Sequence, residues 1–109
     1  MRFQLSVPRN TPESSPFTDS IAFMRPYISR VAVHIPHGHL YLTGLQIRAG
    51  HRLAVIVPEP GSNTLWLVGD QSNYLSTTRI VLDAPGFNIE MRGYNTDDTY
   101  LHVFYIDID

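Results

Sequence analysis

Val31-Ala-Val-His-Ile-Pro-His-Gly-His-Leu-Tyr-Leu-Thr-Gly-Leu-Gln-Ile47 sets an apolar run on either side of a tight Pro-His-Gly-His corner and holds three of the chain's five histidines. Val31, Val33 and Ile35 share one face, and Arg30, Ala32 and His34 the other, which is the two-residue period of a half-buried strand. The corner at residues 36–38 then reads as the turn of a hairpin, with residues 40–47 as its second strand. Gly44 interrupts that strand and marks a bulge or a close backbone approach.

Upstream, Phe3, Leu5 and Val7 alternate with Gln4 and Ser6, again as a strand with one buried face. Residues 8–20 follow as Pro-Arg-Asn-Thr-Pro-Glu-Ser-Ser-Pro-Phe-Thr-Asp-Ser, where three evenly spaced prolines favour extended backbone and the polar residues offer nothing to a core. Ordering such a stretch costs about 1–2 kcal/mol per residue in backbone entropy, while burying an apolar side chain returns about 1.5–3 kcal/mol. Residues 1–20 therefore read as an extended arm that does not order itself, either mobile or laid against its own domain or a neighbouring subunit. Residues 21–109 read as one domain.

Downstream, Leu53-Ala-Val-Ile-Val57 is a continuous aliphatic run that predicts a strand covered on both faces. Residues 58–63 predict a turn, Leu65-Trp-Leu-Val68 a short strand, and residues 74–82 a further strand. Asp83-Ala-Pro-Gly86 reads as a turn. Phe87, Ile89 and Met91 alternate with polar residues, Gly93-Tyr-Asn-Thr-Asp-Asp98 has turn composition, and residues 100–108 close the chain as a strand. Short strands at regular spacing with no helical period predict an all-β fold: an antiparallel β-sandwich or small barrel, jelly-roll or β-tulip like.

A chain of 109 residues can bury roughly 65% of its unfolded surface in one domain. It has no cysteine, hence no disulfide or thiolate chemistry. No apolar run approaches the ~20 residues of a membrane-spanning helix, and no signal-peptide block opens the chain, so neither a membrane nor export is expected. A formal charge of −2 with scattered arginines argues against nucleic acid as a partner. All eight basic residues are arginines, a set suited to bidentate pairing with carboxylates.

For chemistry, His37 and His39 form a His-x-His pair whose side chains would point the same way on a strand, as in a cupin-like metal-dependent enzyme, with His34, His51 or His102 to complete the ligand set. The glutamate such a site would want is replaced by Gly44, and no metal or cofactor is expected. Asp70, Asp97 and Asp98 lack the spacing of a calcium loop and read as solvated turn residues. No serine lies in a Gly-x-Ser-x-Gly elbow, and no enzymatic activity is expected. Tyr41, Trp66, Tyr74, Tyr94 and Tyr100 are the aromatics that a glycan-binding module would present, though alternate strand positions place aromatics in a core more often. Trp66, the sole tryptophan, reads as a core or interface anchor.

Four pieces together, Val7-Pro-Arg-Asn-Thr-Pro-Glu-Ser-Ser-Pro16, Val33-His-Ile-Pro-His-Gly-His39 with Leu42-Thr-Gly-Leu-Gln-Ile47, Trp66-Leu-Val-Gly-Asp70 and Gly93-Tyr-Asn-Thr-Asp-Asp-Thr-Tyr-Leu-His102, resemble small virion structural proteins of tailed bacteriophages that decorate or cement the capsid. The resemblance implies a β-sandwich or β-tulip located in the virion and assembled in the host cytoplasm. It further implies a homo-oligomer, a trimer foremost, that binds the major capsid protein or another virion protein. It assigns the arm role to residues 7–17, making Val7, Pro8, Pro12, Pro16 and Phe17, with Trp66, the expected interface.

Overall fold

In the computed structural model, which describes every residue except 51–52, 60–63, 78 and 83–87, the chain is all-β. Among the described residues ten strands run in the order β1 (Arg2–Val7), β2 (Phe17–Ala22), β3 (Tyr27–Ile28), β4 (Val31–Ile35), β5 (Thr43–Ala49), β6 (Ala54–Val57), β7 (Ser72–Ser76), β8 (Ile80–Val81), β9 (Asn88–Asn95) and β10 (His102–Ile108). One four-stranded sheet has the order β1-β10-β4-β7, the other β2-β9-β5-β6, and the short strands β3 and β8 pair by themselves. Every pairing is antiparallel. With β3 and β8 set aside, this order is that of a jelly roll, in which the chain crosses from one sheet to the other at every link except the β5–β6 hairpin.

Alternation fills the space between the sheets. In β10 the residues His102, Phe104, Ile106 and Ile108 are buried while Tyr105 is exposed. Leu5 and Val7 from β1, with Val31, Val33 and Ile35 from β4, complete that layer. Leu45, Ile47, Ile56, Val57, Ile89 and Met91 form the facing one. Phe23, Ile28 and Leu82 join the same core.

Several expected elements change role in the tertiary structure. The corner at residues 36–42 is no hairpin turn, because β4 and β5 lie in different sheets. The strand expected to include Arg30 begins only at Val31, because the amides of Ser29 and Arg30 bond the Asp109 carbonyl. The aliphatic run at residues 53–57 supplies β6, an edge strand with Ala54 exposed. The strand enclosed on both faces is β5, where even Gln46 is buried beneath the Leu65 carbonyl that its amide bonds at 3.1 Å. Residues 74–82 divide between β7 and β8, and Gly93, Tyr94 and Asn95 belong to β9 despite their turn composition. The turn expected at residues 83–86, position 87, and residues 60–63 of the turn expected at 58–63 lie outside the described residues.

The first twenty residues are not an arm apart from the domain. β1 pairs with β10 from Arg2↔Asp107 to Val7↔His102, Leu5 and Val7 are fully buried, and β2 pairs with β9 from Phe17 onward. A boundary at residue 20 therefore cuts through a strand. Between the two strands, Thr11 exchanges both backbone hydrogen bonds with Asn95 at 2.9 Å. Sheet pairing supplies the stabilisation that this stretch lacks by itself.

Two glycines are required by close approach. A Cβ on Gly44 would overlap the Tyr94 ring, so the expected close approach is that of a side chain, and the register shift in β5 falls between Ile47 and Arg48. A Cβ on Gly93 would lie 2.6 Å from Val7 Cγ2 and 3.2 Å from Leu5 Cδ2. Gly93→Ala is accordingly expected to cost about 1–3 kcal/mol through overpacking, read as a lower denaturation midpoint with an unchanged slope.

The arginine reading has a counterpart in the fold. Arg30 donates from Nε to Asp109 at 3.0 Å and from Nη2 to Asp107 and Asp109 at 2.8 Å, tying β10 to the start of β4. The same hydrogen bonds raise the Arg30 pKa, and Arg30 in turn lowers that of Asp109.

Candidate functional site

The jelly-roll crossings gather residues 8–16, 36–42, 69–71 and 96–101 at one end. They are stitched together: the Asn10 amide donates to the Asp97 carbonyl at 2.9 Å, the Thr96 amide to the Leu42 carbonyl at 2.9 Å, and the Gln71 amide to the Pro36 carbonyl at 3.4 Å. Beneath them the parity that turns apolar residues inward also turns in Thr43 at the start of β5, Asn95 at the end of β9 and His102 at the start of β10. With His39 from the loop they form a buried polar layer that closes the core at this end.

Every member of that layer is partnered. The Asn95 amide donates to the carbonyls of Val7 at 3.2 Å and Tyr100 at 3.0 Å, and its Oδ1 accepts from the Asp97 amide at 2.9 Å. His39 Nε2 lies 3.0 Å from the Val103 carbonyl, which only a donor satisfies, so this nitrogen carries the proton and Nδ1 accepts from the Thr43 hydroxyl at 2.6 Å. The His39 ring lies 4.6 Å from that of His102 and meets Phe104 edge-on at 4.9 Å. His102 Nε2 donates to Asp97 at 2.8 Å.

The electrostatics follow from these contacts. Burial pushes the His39 pKa below its ordinary value, opposed by the Val103 carbonyl. The hydrogen bond from His102 holds the Asp97 carboxyl below the usual carboxylate range, with the Thr99 and Tyr100 amides adding to it. The Asp70 carboxylate is lowered by the backbone amides of Leu40, Gly38 and His39, which wrap it. Asp70 and Asp97 are therefore loop-fixing groups, which corrects the reading of both as solvated turn residues.

On this support sits an uncommon turn. The Leu42 amide donates to the His39 carbonyl at 2.9 Å, and both central residues are left-handed, Leu40 with φ 51° and Tyr41 with φ 61°. Turns with two positive φ angles favour Asn-Gly, because side chains with bulk at Cβ cost about 1–2 kcal/mol each in that region. Here the two places carry a leucine 59% exposed and a tyrosine 69% exposed. Leu42, Tyr100 and Leu101 are exposed on the same group of loops, and Leu101 lines a shallow groove with Ser6, Pro8, Arg9 and Thr99. The result is an apolar apex on a hydrogen-bonded base.

The residues singled out in the sequence fall in different places. Gly38, with φ 111°, turns the chain so that His37 points outward, 3.8 Å from Asp70, while His39 points into the core. The pair therefore does not converge, because the strand geometry it presumes is absent. His34 bonds Asn73 on the outer sheet face, His51 lies outside the described residues, and no three His, Asp or Glu side chains among the described residues are grouped to hold a metal ion. Of the expected interface residues, Val7 is sealed in the core and has no surface to offer. Pro8, Pro12 and Phe17 are exposed, and Pro16 and Trp66 are half-buried. Trp66 packs edge-on against Tyr94 at 5.0 Å, and Tyr74 packs against the core, so those three aromatics are engaged by the fold itself.

Comparison with family models, with curated proteins and with solved structures finds no match to this chain. The site is therefore read from its own geometry. Nothing in the sequence marks Leu40, Leu101 or Asn95 as part of this loop end, and Asp97 reads there only as a turn residue. The one local signal was a Leu-Tyr pair between a Pro-x-Gly corner and a strand, which becomes informative only when the φ angles are known.

Proposed function

We propose that this chain is a non-enzymatic virion structural protein of the capsid-decorating kind that its sequence resembles, docking on the major capsid protein or another virion protein through the apolar loop end. The carrying observation is the turn at residues 39–42, where two bulky exposed side chains occupy left-handed positions that a purely structural turn gives to Asn or Gly. Backbone strain kept in place by a buried polar layer suits a rigid contact surface, because a pre-formed loop loses little entropy on docking. Pro8, assigned to the arm by resemblance, lines the same groove as Leu101, and Pro12 follows Thr11, which pairs with Asn95. The jelly roll agrees with this reading by analogy only, since one fold serves many functions. Assembly as a homo-oligomer, a trimer foremost, belongs to the same proposal.

The test combines Leu40→Asn with Tyr41→Asn, because asparagine tolerates the left-handed region. The double variant is expected to melt at or above the temperature of the parent chain, yet to be depleted from purified particles in copy counting by quantitative mass spectrometry. Loss of a central contact residue costs at least about 2 kcal/mol, roughly thirtyfold in affinity. Absence of the parent chain from the particles, or full retention of the variant, overturns the proposal.

A further inference from the structure

The outer face of the β1-β10-β4-β7 sheet carries a groove of about 880 Å³ that docking through the loop end leaves unused. Cross-strand register sets one straight row of side chains across its floor: Gln4 opposite Tyr105, Tyr105 opposite His34, and His34 opposite Asn73. Four strands at the usual interstrand spacing make this row about 14 Å long. The adjacent row runs Arg2, Asp107, Ala32, Leu75, and the small Ala32 side chain leaves a depression between its larger neighbours.

Each member of the first row has a planar side chain with polar atoms turned to solvent. Tyr105, 42% exposed, presents part of its ring at the centre. His34 is fixed beside it, ring centroids 6.2 Å apart, and its Nδ1 pairs with the Asn73 side-chain oxygen at 2.7 Å. With His34 donating from Nδ1, its Nε2 is left as an acceptor and the Asn73 NH2 as a donor. Gln4 offers a donor and an acceptor from the opposite edge. Of the charges bordering the groove, Arg30 is held by Asp107 and Asp109, and Arg2, 92% exposed and 4.0 Å from Asp107, is a single solvated cation at the rim. The groove thus combines an aromatic platform with amide and imidazole groups and little free charge. An apolar protein surface would strand those polar groups, and an anion would find no free cationic cluster.

We infer that this face binds a neutral oligosaccharide, laid across the strands along the Gln4–Tyr105–His34–Asn73 row. The C–H faces of a sugar ring rest on Tyr105, and its hydroxyls exchange hydrogen bonds with Gln4, His34 and Asn73. None of the aromatics expected from the sequence to serve a glycan occupies this row; the register places Tyr105 there.

The inference is independent of the apex and is tested on the purified full chain, with a printed array of neutral hexose and N-acetylhexosamine oligosaccharides beside sialylated and sulfated ones. Binding of at least one neutral oligosaccharide is expected, reproduced in solution by titration calorimetry. Tyr105→Ala and the exposed Gln4→Ala and Asn73→Ala should each weaken it about tenfold or more, a loss of about 1.4 kcal/mol, and Tyr105→Phe should retain most of it. The Leu40→Asn, Tyr41→Asn chain should bind the sugar unchanged, which separates this site from the docking apex. No neutral oligosaccharide bound at millimolar concentration, binding of acidic glycans alone, or affinity indifferent to Gln4→Ala and Asn73→Ala overturns the assignment.

Discussion

A chain lacking residues 1–20 is expected to lose cooperative unfolding altogether, with weak near-ultraviolet circular dichroism and strong binding of a hydrophobic dye. The deletion removes β1, its six-residue ladder with β10, and the fully buried Leu5 and Val7. Each of those side chains contributes about 1.5–3 kcal/mol by burial, against a total stability of about 5–15 kcal/mol for a typical domain. Phe104 and Ile106 lose part of their cover, and the Asn95 amide loses the Val7 carbonyl it bonds in the buried layer. The same deletion takes the first four residues of β2 from its pairing with β9. Were these residues a detachable arm, the truncated chain would melt as sharply as the parent, and that result would overturn the integral role given to β1. Pro8→Ser combined with Pro12→Ser is the contrasting change. Both prolines are exposed, so stability should shift by less than about 1 kcal/mol.

Replacing His39 by alanine is expected to cost about 3–5 kcal/mol. It opens a cavity beside Phe104 and leaves the Thr43 hydroxyl and the Val103 carbonyl without the partner they have in the parent chain. For a domain of this size that is a fall in melting temperature of roughly 15 °C or more. The parent chain should also show the titration of this ring. Its folded pKa is depressed from 6.5 by burial, so the unfolded chain takes up the proton first. Stability is then complete above about pH 6.5 and falls as the pH drops through that value toward the folded pKa, by at most about 1.4 kcal/mol per pH unit for one proton.

The groups that act on His39 are His102, Asp70 and His34, with Asp97 reaching it through its hydrogen bond to His102. A second loss follows below about pH 4, because Asp70, Asp97 and Asp109 all have pKa values lowered from 3.8 in the folded state. Their contribution is present above the unfolded value and disappears as the pH falls through the folded ones. Melting curves between pH 3 and pH 8 should therefore show two descending steps, and His39→Gln should remove the upper one. A flat profile from pH 5 to 8 in the parent chain would show that His39 does not titrate as a buried neutral ring.

Strand character was legible wherever one face of a strand meets water and the other the core. β4 and β10 alternate in sequence because they alternate in space, and Phe3, Leu5 and Val7 announce β1 for the same reason. Alternation does not say which strand lies beside which. Pro36-His-Gly38 has the composition of a hairpin turn and of a crossing between sheets alike, and the choice was made by β10 and β7 occupying both edges of β4. The local composition of Gly93-Tyr-Asn95 was overridden by packing, since β9 needs a glycine where Leu5 and Val7 come across from the facing sheet. In the same way Gln46 and His39, polar in sequence, are buried because a carbonyl waits for each.

By itself, then, the amino-acid order determined an all-β chain of short antiparallel strands, because side-chain period and turn residues are local properties that need no partner to be read. The pairing of those strands, the inclusion of β1 in the sheet with Leu5 and Val7 in the core, and the inward turn of His39 beside His102 were decided by tertiary structure. So were the left-handed Leu40–Tyr41 turn and the Gln4–Tyr105–His34–Asn73 row. The physical reason is common to all of them: each depends on groups far apart in the chain satisfying one another's hydrogen bonds or filling one another's space.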